Sequence, residues 1–248
     1  MATVLSGTSG ALYYKPAGTK DDQLAASAFP STGSDITVGS YLNFKVNDQV
    51  TLTYPSGATT TGAIAAGDYY VLTYTASTGV MTVSSTEGGS AETATAQPSG
   101  FGTGKASIAY KSFQSVANVR TWSFEVTREE IDTTSIGGTL GQTAPFRTFI
   151  SGFADGSGSA EVYFTDDDTT IASRLIEDVT QRKQAGATFK LYMDAILSSG
   201  TPNDTTSRSI ELEAVLTQAS YAVSPDDAQT VSISFRPTSA PTFDFSKS

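Results

Sequence analysis

Three carboxylates lie close together in the stretch "TREEID", at Glu129, Glu130 and Asp132. Glycoside hydrolysis uses a pair of such acids, about 5 Å or about 6.5–9.5 Å apart across a cleft. Glu129 and Glu130 are adjacent on an extended segment, so their side chains point to opposite faces and make a poor pair. The chain also has no His, the commonest general acid and base. The spacing therefore argues against catalysis by these acids.

A second acidic run, Asp166 to Asp168, follows the Gly-rich sequence "DGSGS". Oxygen ligands with nearby glycines suit Ca²⁺, but the spacing does not match the twelve-residue calcium loop. The run also comes just before an amphipathic segment, where the positive end of a helix dipole favours acids. We therefore predict that Asp168 caps a helix, and we expect no metal and no other cofactor.

The composition excludes several further classes of protein. The chain of 248 residues has no Cys and no His, which removes thiolate nucleophiles, Cys-ligated metals and Ser-His relays. Fifteen basic and 25 acidic residues give a net charge of −10, which disfavours binding to a phosphate backbone. The Gly-rich segment 137–142 lacks the ending of a phosphate-binding loop. We expect a protein that is not an enzyme and that DNA would pass without being bound.

Alternating apolar residues predict a mainly β fold. Trp122, Phe124 and Val126 are expected to face a core while the residues between them face solvent. Four later segments repeat the pattern, and five such strands in one region predict a sandwich or barrel. They contain Ala160, Val162 and Phe164; Phe189, Leu191 and Met193; Ile210, Leu212 and Ala214; and Val231, Ile233 and Phe235. One amphipathic helix is predicted between Asp168 and a stop at Gly186.

Residues 34–104 have a different character. They are bounded by Gly-, Ser- and Pro-rich sequence and contain one Lys against five acidic residues. Two segments alternate in polarity, and the Ser-Thr-Gly turn of "TASTGVMTV" predicts a hairpin. We predict that 34–104 is a small inserted β-module, and that 1–33 and 105–248 together form a β-sandwich or barrel with one flanking α-helix.

The order of several motifs in 105–248 resembles the tail tube proteins of tailed bacteriophages. In that family a Trp-Ser strand runs into an Asp-Thr-Thr-x-x-Gly loop, matched here by "RTWSFEVTREEIDTTSIGG". The strand pair of "SGFADGSGS", the helix, "ATFKLYMD" and the Ser-Pro-Asp-Asp turn of "AVSPDDAQTVSISF" follow in the family's order. The segment 34–104 departs from the family pattern and is more loosely similar to small β-modules inserted in phage structural proteins.

The resemblance implies a siphovirus-like major tail tube protein. Six copies would form a ring, and stacked rings would form a hollow tube through which DNA passes during ejection. The homo-oligomer would meet the tape measure, tail terminator and distal tail proteins, and would be assembled in the host cytoplasm before residing in the virion. The sequence "MATVLSGTSGALYY" has no secretory signal, and no run approaches about 18 apolar residues, so we expect no membrane contact. A lumen that carries DNA has no room for six modules, so 34–104 is expected on the outer surface.

The segment 128–147 is expected to leave the sheet as a long loop and to contact a neighbouring ring. The expected contact residues are Arg128, Glu129, Glu130, Asp132, Thr133, Thr134, Gly137, Gly138, Gln142 and Arg147. Trp122 and Phe124 on the preceding strand, and Leu175 on the helix, are expected to anchor the core.

Two other functions remain open on the sequence. Another virion structural part, such as a capsid decoration protein or a tail-tip ring, would have a similar composition. A carbohydrate-binding or adhesin module would stack sugars on Tyr69, Tyr70 and Tyr74, although Tyr in a strand usually serves packing.

Overall fold

The structure is a computed structural model that describes residues 10–116, 119–133, 147, 149–163, 169–222 and 229–245. Within these ranges the chain is mainly β, with one α-helix, α1 (Thr169–Val179), and a short 3-10 helix at Ala26–Ala28. The strands are β1 (Ala11–Lys15), β2 (Lys20–Leu24), β3 (Ile36–Thr37), β4 (Gln49–Thr53), β5 (Gly67–Thr75), β6 (Val80–Ser84), β7 (Ala106–Tyr110), β8 (Gln114–Val116), β9 (Val119–Asp132), β10 (Phe149–Tyr163), β11 (Thr188–Asp194), β12 (Leu197–Ser198), β13 (Thr201–Pro202), β14 (Arg208–Ala222), β15 (Thr230–Pro237) and β16 (Thr242–Asp244). The predicted mainly β fold is confirmed. No helix in the described part of the chain is long and apolar enough to cross a membrane.

An eight-stranded antiparallel sheet is built from the two ends of the chain. Its strand order is β8-β1-β11-β14-β15-β10-β9, and β16 also pairs with β14. The first half of β14 pairs with β11 and β16, whereas its second half pairs with β15. Because β14 changes partners along its length, the sheet curls, and Phe189 of β11 stacks on Phe235 of β15 with ring centroids 4.3 Å apart. The main core lies between the two parts of this curled sheet.

The predicted alternation holds in β10, β14 and β15, whereas in β11 the intervening Lys190 and Tyr192 are buried as well. The buried residues at these positions are Ala160, Val162, Phe189, Leu191, Ile210, Leu212, Ala214, Val231, Ile233 and Phe235. Met193 is only half-buried, and Phe164 lies outside the described residues. Gly158 faces the same core, where any side chain would overlap the ring of Phe235. Close packing against this ring therefore requires Gly at that point of "DGSGS".

The helix α1 packs against the core of the eight-stranded sheet through Ile171 and Leu175, which are both buried. Its end differs from the prediction, because Gly186 does not stop it. The helix ends at Val179, where the N–H of Thr180 bonds to the Glu177 carbonyl oxygen. The predicted cap, Asp168, lies outside the described residues.

A separate six-stranded sheet has the order β2-β7-β4-β5-β6-β3 and its own buried core. The predicted hairpin is confirmed as β5 and β6, joined by a turn in which Gly79 has φ +72°. This sheet includes β2 and β7, which flank 34–104, and Leu24 and Ile108 are buried in its core. The division at 34–104 remains a prediction, and the strand pairing favours wider bounds, at about residues 19 and 111.

Candidate assembly surface

The strands β9 and β10 form a long two-stranded arm that extends past the core. Their pairing runs from Val119 opposite Val162 to Asp132 opposite Phe149. The expectation that the chain leaves the sheet at residue 128 is therefore wrong, since Arg128 pairs with Ala154. The backbone amides of 128–132 hydrogen-bond along a strand, which fixes these side chains on a rigid ribbon.

The residues expected at a subunit contact lie along the outer part of this arm. Arg128, Glu129, Glu130, Asp132 and Thr133 are all exposed. The Arg147 guanidinium lies 3.9 Å from the Asp132 carboxylate in an exposed ion pair. The remaining expected residues, Thr134, Gly137, Gly138 and Gln142, lie outside the described residues.

The arm also exposes several large apolar side chains that the sequence reasoning missed. Ile131 and Ile150 face each other across the pair and are 42% and 56% exposed. Phe149 is half-exposed and Phe153 is 86% exposed. We call these four residues the apolar arm patch, which covers both faces of the arm because Phe149 and Ile150 are adjacent on β10. The stretch "FRTFISGFADG" could have indicated these exposed residues, since its apolar residues follow neither a helical nor a strict strand period.

A bulge explains why the apolar pattern is irregular. Gly152 and Phe153 together oppose Glu129, because the register shifts between Ser151 and Ala154. An extra residue in one strand changes which face the following side chains occupy, and it bends the ribbon. Charged and apolar side chains are therefore mixed along the arm. Exposed apolar side chains of this kind are typical of a surface that contacts another protein.

One face of the sheet formed by β9, β10, β15 and the second half of β14 is polar. It points away from the core, because side chains alternate along each strand and the ones that alternate with this face point to the core. Its members are Thr121, Ser123, Glu125, Thr127, Asp155, Ser157, Ser159, Glu161, Gln218, Ser220, Ser232, Ser234 and Arg236. We call these residues the polar face. The hydroxyls of Ser123 and Ser159 lie 2.9 Å apart, and Arg120 pairs with Glu161 at 3.1 Å.

The two edges of this four-stranded sheet are open. β9 ends the strand order, and Gln218–Ala222 of β14 pair with β15 on one side only. Within the described ranges, no strand pairs with the other side of either segment. An edge strand of this length presents a row of backbone donors and acceptors to any strand that approaches it.

An apolar cleft of about 440 Å³ lies beside the base of the arm. It is lined by Val126, Ala154, Pro237, Pro241 and Phe243. Val126 and Phe243 are each about half exposed. A single copy thus leaves apolar side chains exposed at this point.

The three expected core anchors differ in burial. Leu175 is 1% exposed and belongs to the main core. Trp122 and Phe124 are only partly buried and pack at the margin of that core. β9 is an edge strand, so its inner face is covered less completely than that of β10.

The tyrosines considered for sugar binding are engaged in packing and hydrogen bonding. Tyr69 is buried, and its hydroxyl donates to the Ala65 carbonyl oxygen at 2.9 Å. The hydroxyl of Tyr70 accepts from the Gln49 amide, and that of Tyr74 donates to the Gly39 carbonyl oxygen. Burial raises the pKa of Tyr74, so its hydroxyl stays protonated. The rings of Tyr69 and Tyr74 pack on the core of the six-stranded sheet and offer no free stacking platform.

The geometry of the described residues supports neither a metal site nor a catalytic pair of carboxylates. Among the described residues, no group of three His, Cys, Asp or Glu side chains could hold a metal ion. Asp166 to Asp168 lie outside those residues. Glu129 and Glu130 alternate along β9 and point to opposite faces.

No protein-family model and no curated protein matches the chain. Among solved structures, it is similar to a chain of the virion of a native gene transfer agent particle, with 19% identity and a TM-score of 0.37 over 53% of this chain and 88% of that one. It is also similar to a chain of the tail of an empty gene transfer agent particle with C6 symmetry, with 20% identity and a TM-score of 0.38 over 54% of this chain and 87% of that one. It is similar as well to the SPP1 tail tube, with 17% identity and a TM-score of 0.39 over 55% of this chain and 70% of that one. At these values the likenesses do not establish the family of this chain.

Proposed function

We propose that the protein is a structural virion protein that polymerises as stacked hexameric rings into a phage tail tube, the conduit for DNA ejection. The observation that carries this proposal is the four-stranded sheet that is open at both edges and polar on the face away from the core. The resemblance of the ordered sequence motifs to tail tube proteins supports it independently.

Ring formation follows from pairing the two open edges between copies. β9 of one copy would pair with the second half of β14 of the next. Such a contact joins two different surfaces of neighbouring copies. A ring closes if a whole number of these copy-to-copy rotations adds up to 360°. A closed barrel removes every open edge, which a single copy cannot do. The number six comes from the family resemblance.

The polar face would line the lumen of this ring. Hydroxyl groups and a few acids dominate its described residues, and the two arginines there are paired, Arg120 with Glu161 and Arg236 with Asp155. Such a surface offers no array of unpaired cations to bind phosphates, so duplex DNA would pass without being retained. The net charge of −10 has the same effect at longer range.

Ring stacking would use the arm. The apolar arm patch and the charges from Arg128 to Asp132 would contact the neighbouring ring, together with Thr133, Thr134, Gly137, Gly138, Gln142 and Arg147. Burial of exposed apolar area supplies the main driving force of such contacts, and the charges set the register.

The six-stranded unit would lie on the outside of the tube. The polar face points away from the core and from α1, and the six-stranded unit contacts α1. If the polar face lines the lumen, the six-stranded unit lies on the opposite side. The tape measure, terminator and distal tail proteins would meet the tube at its interior and its ends.

Electron microscopy of the purified protein tests the proposal. We expect open-ended tubes with a regular ring repeat and six-fold end views. Isolated trimers or monomers that bind glycans would contradict it and support an adhesin module. Closed rings that never stack would support a tail-tip or decoration protein.

Cysteine cross-linking tests the edge pairing, because the natural chain contains no Cys. Ser123→Cys combined in turn with Gln218→Cys, Ser220→Cys or Ala222→Cys scans the register between β9 and β14. Oxidation should give a ladder of covalent oligomers that ends at the hexamer for one of these pairs. The matched control, Val46→Cys with Ser56→Cys on the exposed surface of the six-stranded unit, should give no ladder. Absence of oligomers in the whole scan would rule out this pairing.

A further inference from the structure

The six-stranded unit meets α1 through a dense polar junction. On the helix side the junction consists of Arg174, Glu177, Asp178 and Gln181, and on the other side of Tyr41, Asn43, Lys45 and Asp48. Arg174, Glu177 and Asp178 are spaced three and four residues apart on one stripe of α1, and Gln181 follows just after the helix ends. This stripe lies beside the apolar stripe that packs on the eight-stranded sheet.

A buried ion pair lies at the centre of the junction. The Arg174 guanidinium donates to Asp48 at 2.7 Å and to the Asn43 carbonyl oxygen at 2.6 Å. Arg174 is 1% exposed and Asp48 is 7% exposed. The Arg174 guanidinium also lies 5.6 Å from the ring centroid of Tyr110 in β7. A desolvated Arg with two close acceptors needs both of them in place, so the position of the loop around Asn43 is tightly specified.

Asp178 connects three parts of the chain. Its carboxylate accepts from the Tyr14 hydroxyl at 2.9 Å and the Ala17 N–H at 2.9 Å, both at the end of β1. It also accepts from the Asn43 amide at 2.6 Å. Burial and the charge of Asp178 raise the pKa of Tyr14 well above its ordinary value, so this hydroxyl remains a donor. The eight-stranded sheet, the helix and the six-stranded unit thus share one hydrogen-bond network.

We propose that this junction makes the two sheets one cooperative folding unit, with the six-stranded unit as a fixed structural part and not a detachable decoration. Its contacts form only when both sides are folded, because neither side alone satisfies Arg174, Asp48 and Asp178. Loss of structure in the six-stranded core must then lower the stability of the distant eight-stranded sheet. The proposal holds whether or not the protein forms tubes.

Deletion of 34–104 would not test this cleanly. The cut would remove Asn43 and Asp48, and it would also separate β2 and β7 from the strands that complete their sheet. A failure to fold after such a deletion has several causes, so point variants of the full chain are the sharper tools.

The experiment uses two probes in the full-length protein. Trp122 is the single Trp and packs on the eight-stranded core, so its fluorescence reports that sheet. Hydrogen exchange of peptides from 67–84 reports β5 and β6 of the six-stranded sheet. Val83→Ala removes methyl groups from a side chain that is 0% exposed in the six-stranded core, and Val46→Ala makes the same change at a residue that is 61% exposed.

Val83→Ala should lower the denaturant midpoint of Trp122 fluorescence by as much as it lowers the midpoint of peptide protection, while Val46→Ala should move neither. If Val83→Ala fails to fold, the milder Ile36→Val, at another fully buried position, serves the same purpose. An unchanged Trp122 midpoint with lost protection in 67–84 would overturn the proposal.

The double variant Asp48→Asn with Arg174→Met then assigns the coupling to the junction. It removes both charges and keeps similar side-chain volumes, so neither partner is left as an unpaired buried charge. The two probes should separate, with 67–84 losing protection at a lower denaturant concentration than the Trp122 transition. Coincident transitions in this variant would show that the coupling does not run through the junction.

Discussion

The junction and the arm are opposite kinds of polar surface in one chain. At the junction, Arg174 and Asp178 are 1% and 0% exposed, and each is held by at least two hydrogen-bond partners. On the arm, Glu129 and Glu130 are exposed, and so are the neighbouring Ile131 and Phe153. The charged groups of the junction have partners within the chain, except that the buried Nε of Arg174 makes no hydrogen bond, whereas the apolar groups of the arm are exposed to solvent.

This difference shows which surface is complete in a single copy. A dry, hydrogen-bonded junction contributes to the stability of the monomer and is strongly affected by the loss of one partner. An exposed arm with an apolar patch contributes little to monomer stability and gains its free energy only when another surface covers it. Substitutions at the two places should therefore affect different measurements.

Arg174→Met should have the largest effect on the monomer. It leaves Asp48 buried without its cation, and breaking a buried pair in this way lowers the free energy of unfolding by about 3–5 kcal/mol. Urea denaturation measures this loss. Lys111→Met is the matched control, because Lys111 pairs with Asp68 at the exposed surface and such pairs contribute about 0–1 kcal/mol. Similar losses in the two variants would contradict the distinction between the junction and an ordinary surface.

Asp178→Asn should have an intermediate effect. The amide has one acceptor oxygen where the carboxylate has two, so a donor among Tyr14, Ala17 and Asn43 loses its partner. A buried donor left without a partner lowers the free energy of unfolding by about 1–3 kcal/mol.

The loss caused by Asp178→Asn should depend on pH. Burial raises the pKa of the Asp178 carboxyl, although the Ala17 N–H, the Tyr14 hydroxyl and the Arg174 charge oppose this. A raised folded-state pKa gives stability that is full below the unfolded pKa of about 3.9 and is lost as the pH rises through the folded value. The loss should therefore be smaller near about pH 7 than near about pH 4. A loss that increases with pH would refute the assignment.

Phe153→Ser with Ile150→Ser should leave the monomer almost unchanged. Both side chains are more than half exposed, so the free energy of unfolding should stay within about 0.5 kcal/mol of the natural value. Tube length and yield in electron micrographs should fall sharply, because the apolar arm patch loses the area it would bury between rings. Normal tubes from this variant would show that the patch is not an assembly contact.

Glu129→Ala, Glu130→Ala and Asp132→Ala together should have the smallest effect on the monomer, since all three acids are exposed. Polymerisation should be impaired, while circular dichroism and the unfolding midpoint stay as in the natural protein. The matched control replaces the exposed acids Asp35 and Glu87 of the six-stranded unit with Ala. Equal tube formation by the triple variant and the control would contradict a role for the arm acids.

The sequence was most informative where one face of a strand is buried. The alternation around Phe189, Ile210 and Ile233 reports directly which side chains face the core, and the structure buries all three. Core burial leaves a period of two in the sequence, so strands of this kind can be recognised one at a time.

The arm and the junction were harder to recognise for physical reasons. On β9 all residues from 125 to 132 are exposed, so 128–132 gave no strand pattern, and on β10 the bulge at Gly152 breaks the period of two. In α1 the charges of Arg174 and Asp178 are typical of a solvated helix face. The sequence does not show that Asp48, 126 positions away from Arg174, pairs with it in the fold.

The predicted bounds of the inserted module were affected by the same lack of a local sequence pattern. The composition changes near residues 34 and 104, but β2 and β7 pair across 81 to 88 intervening positions, as Leu24 with Ala106 and Lys20 with Ala109 show. Long-range pairing leaves no local pattern in either segment. Only the strand register connects them.

The pairing of β2 with β7 has a consequence for the history and the engineering of this chain. The polypeptide leaves the region of β1 and returns to β8 at neighbouring positions, since Lys20 lies opposite Ala109. A segment whose two ends emerge side by side can be exchanged for another folded domain without stretching the host. Because the junction ties this unit to α1, neighbouring ends alone are not enough, and a grafted domain would also have to supply an acid for Arg174 and a donor for Asp178.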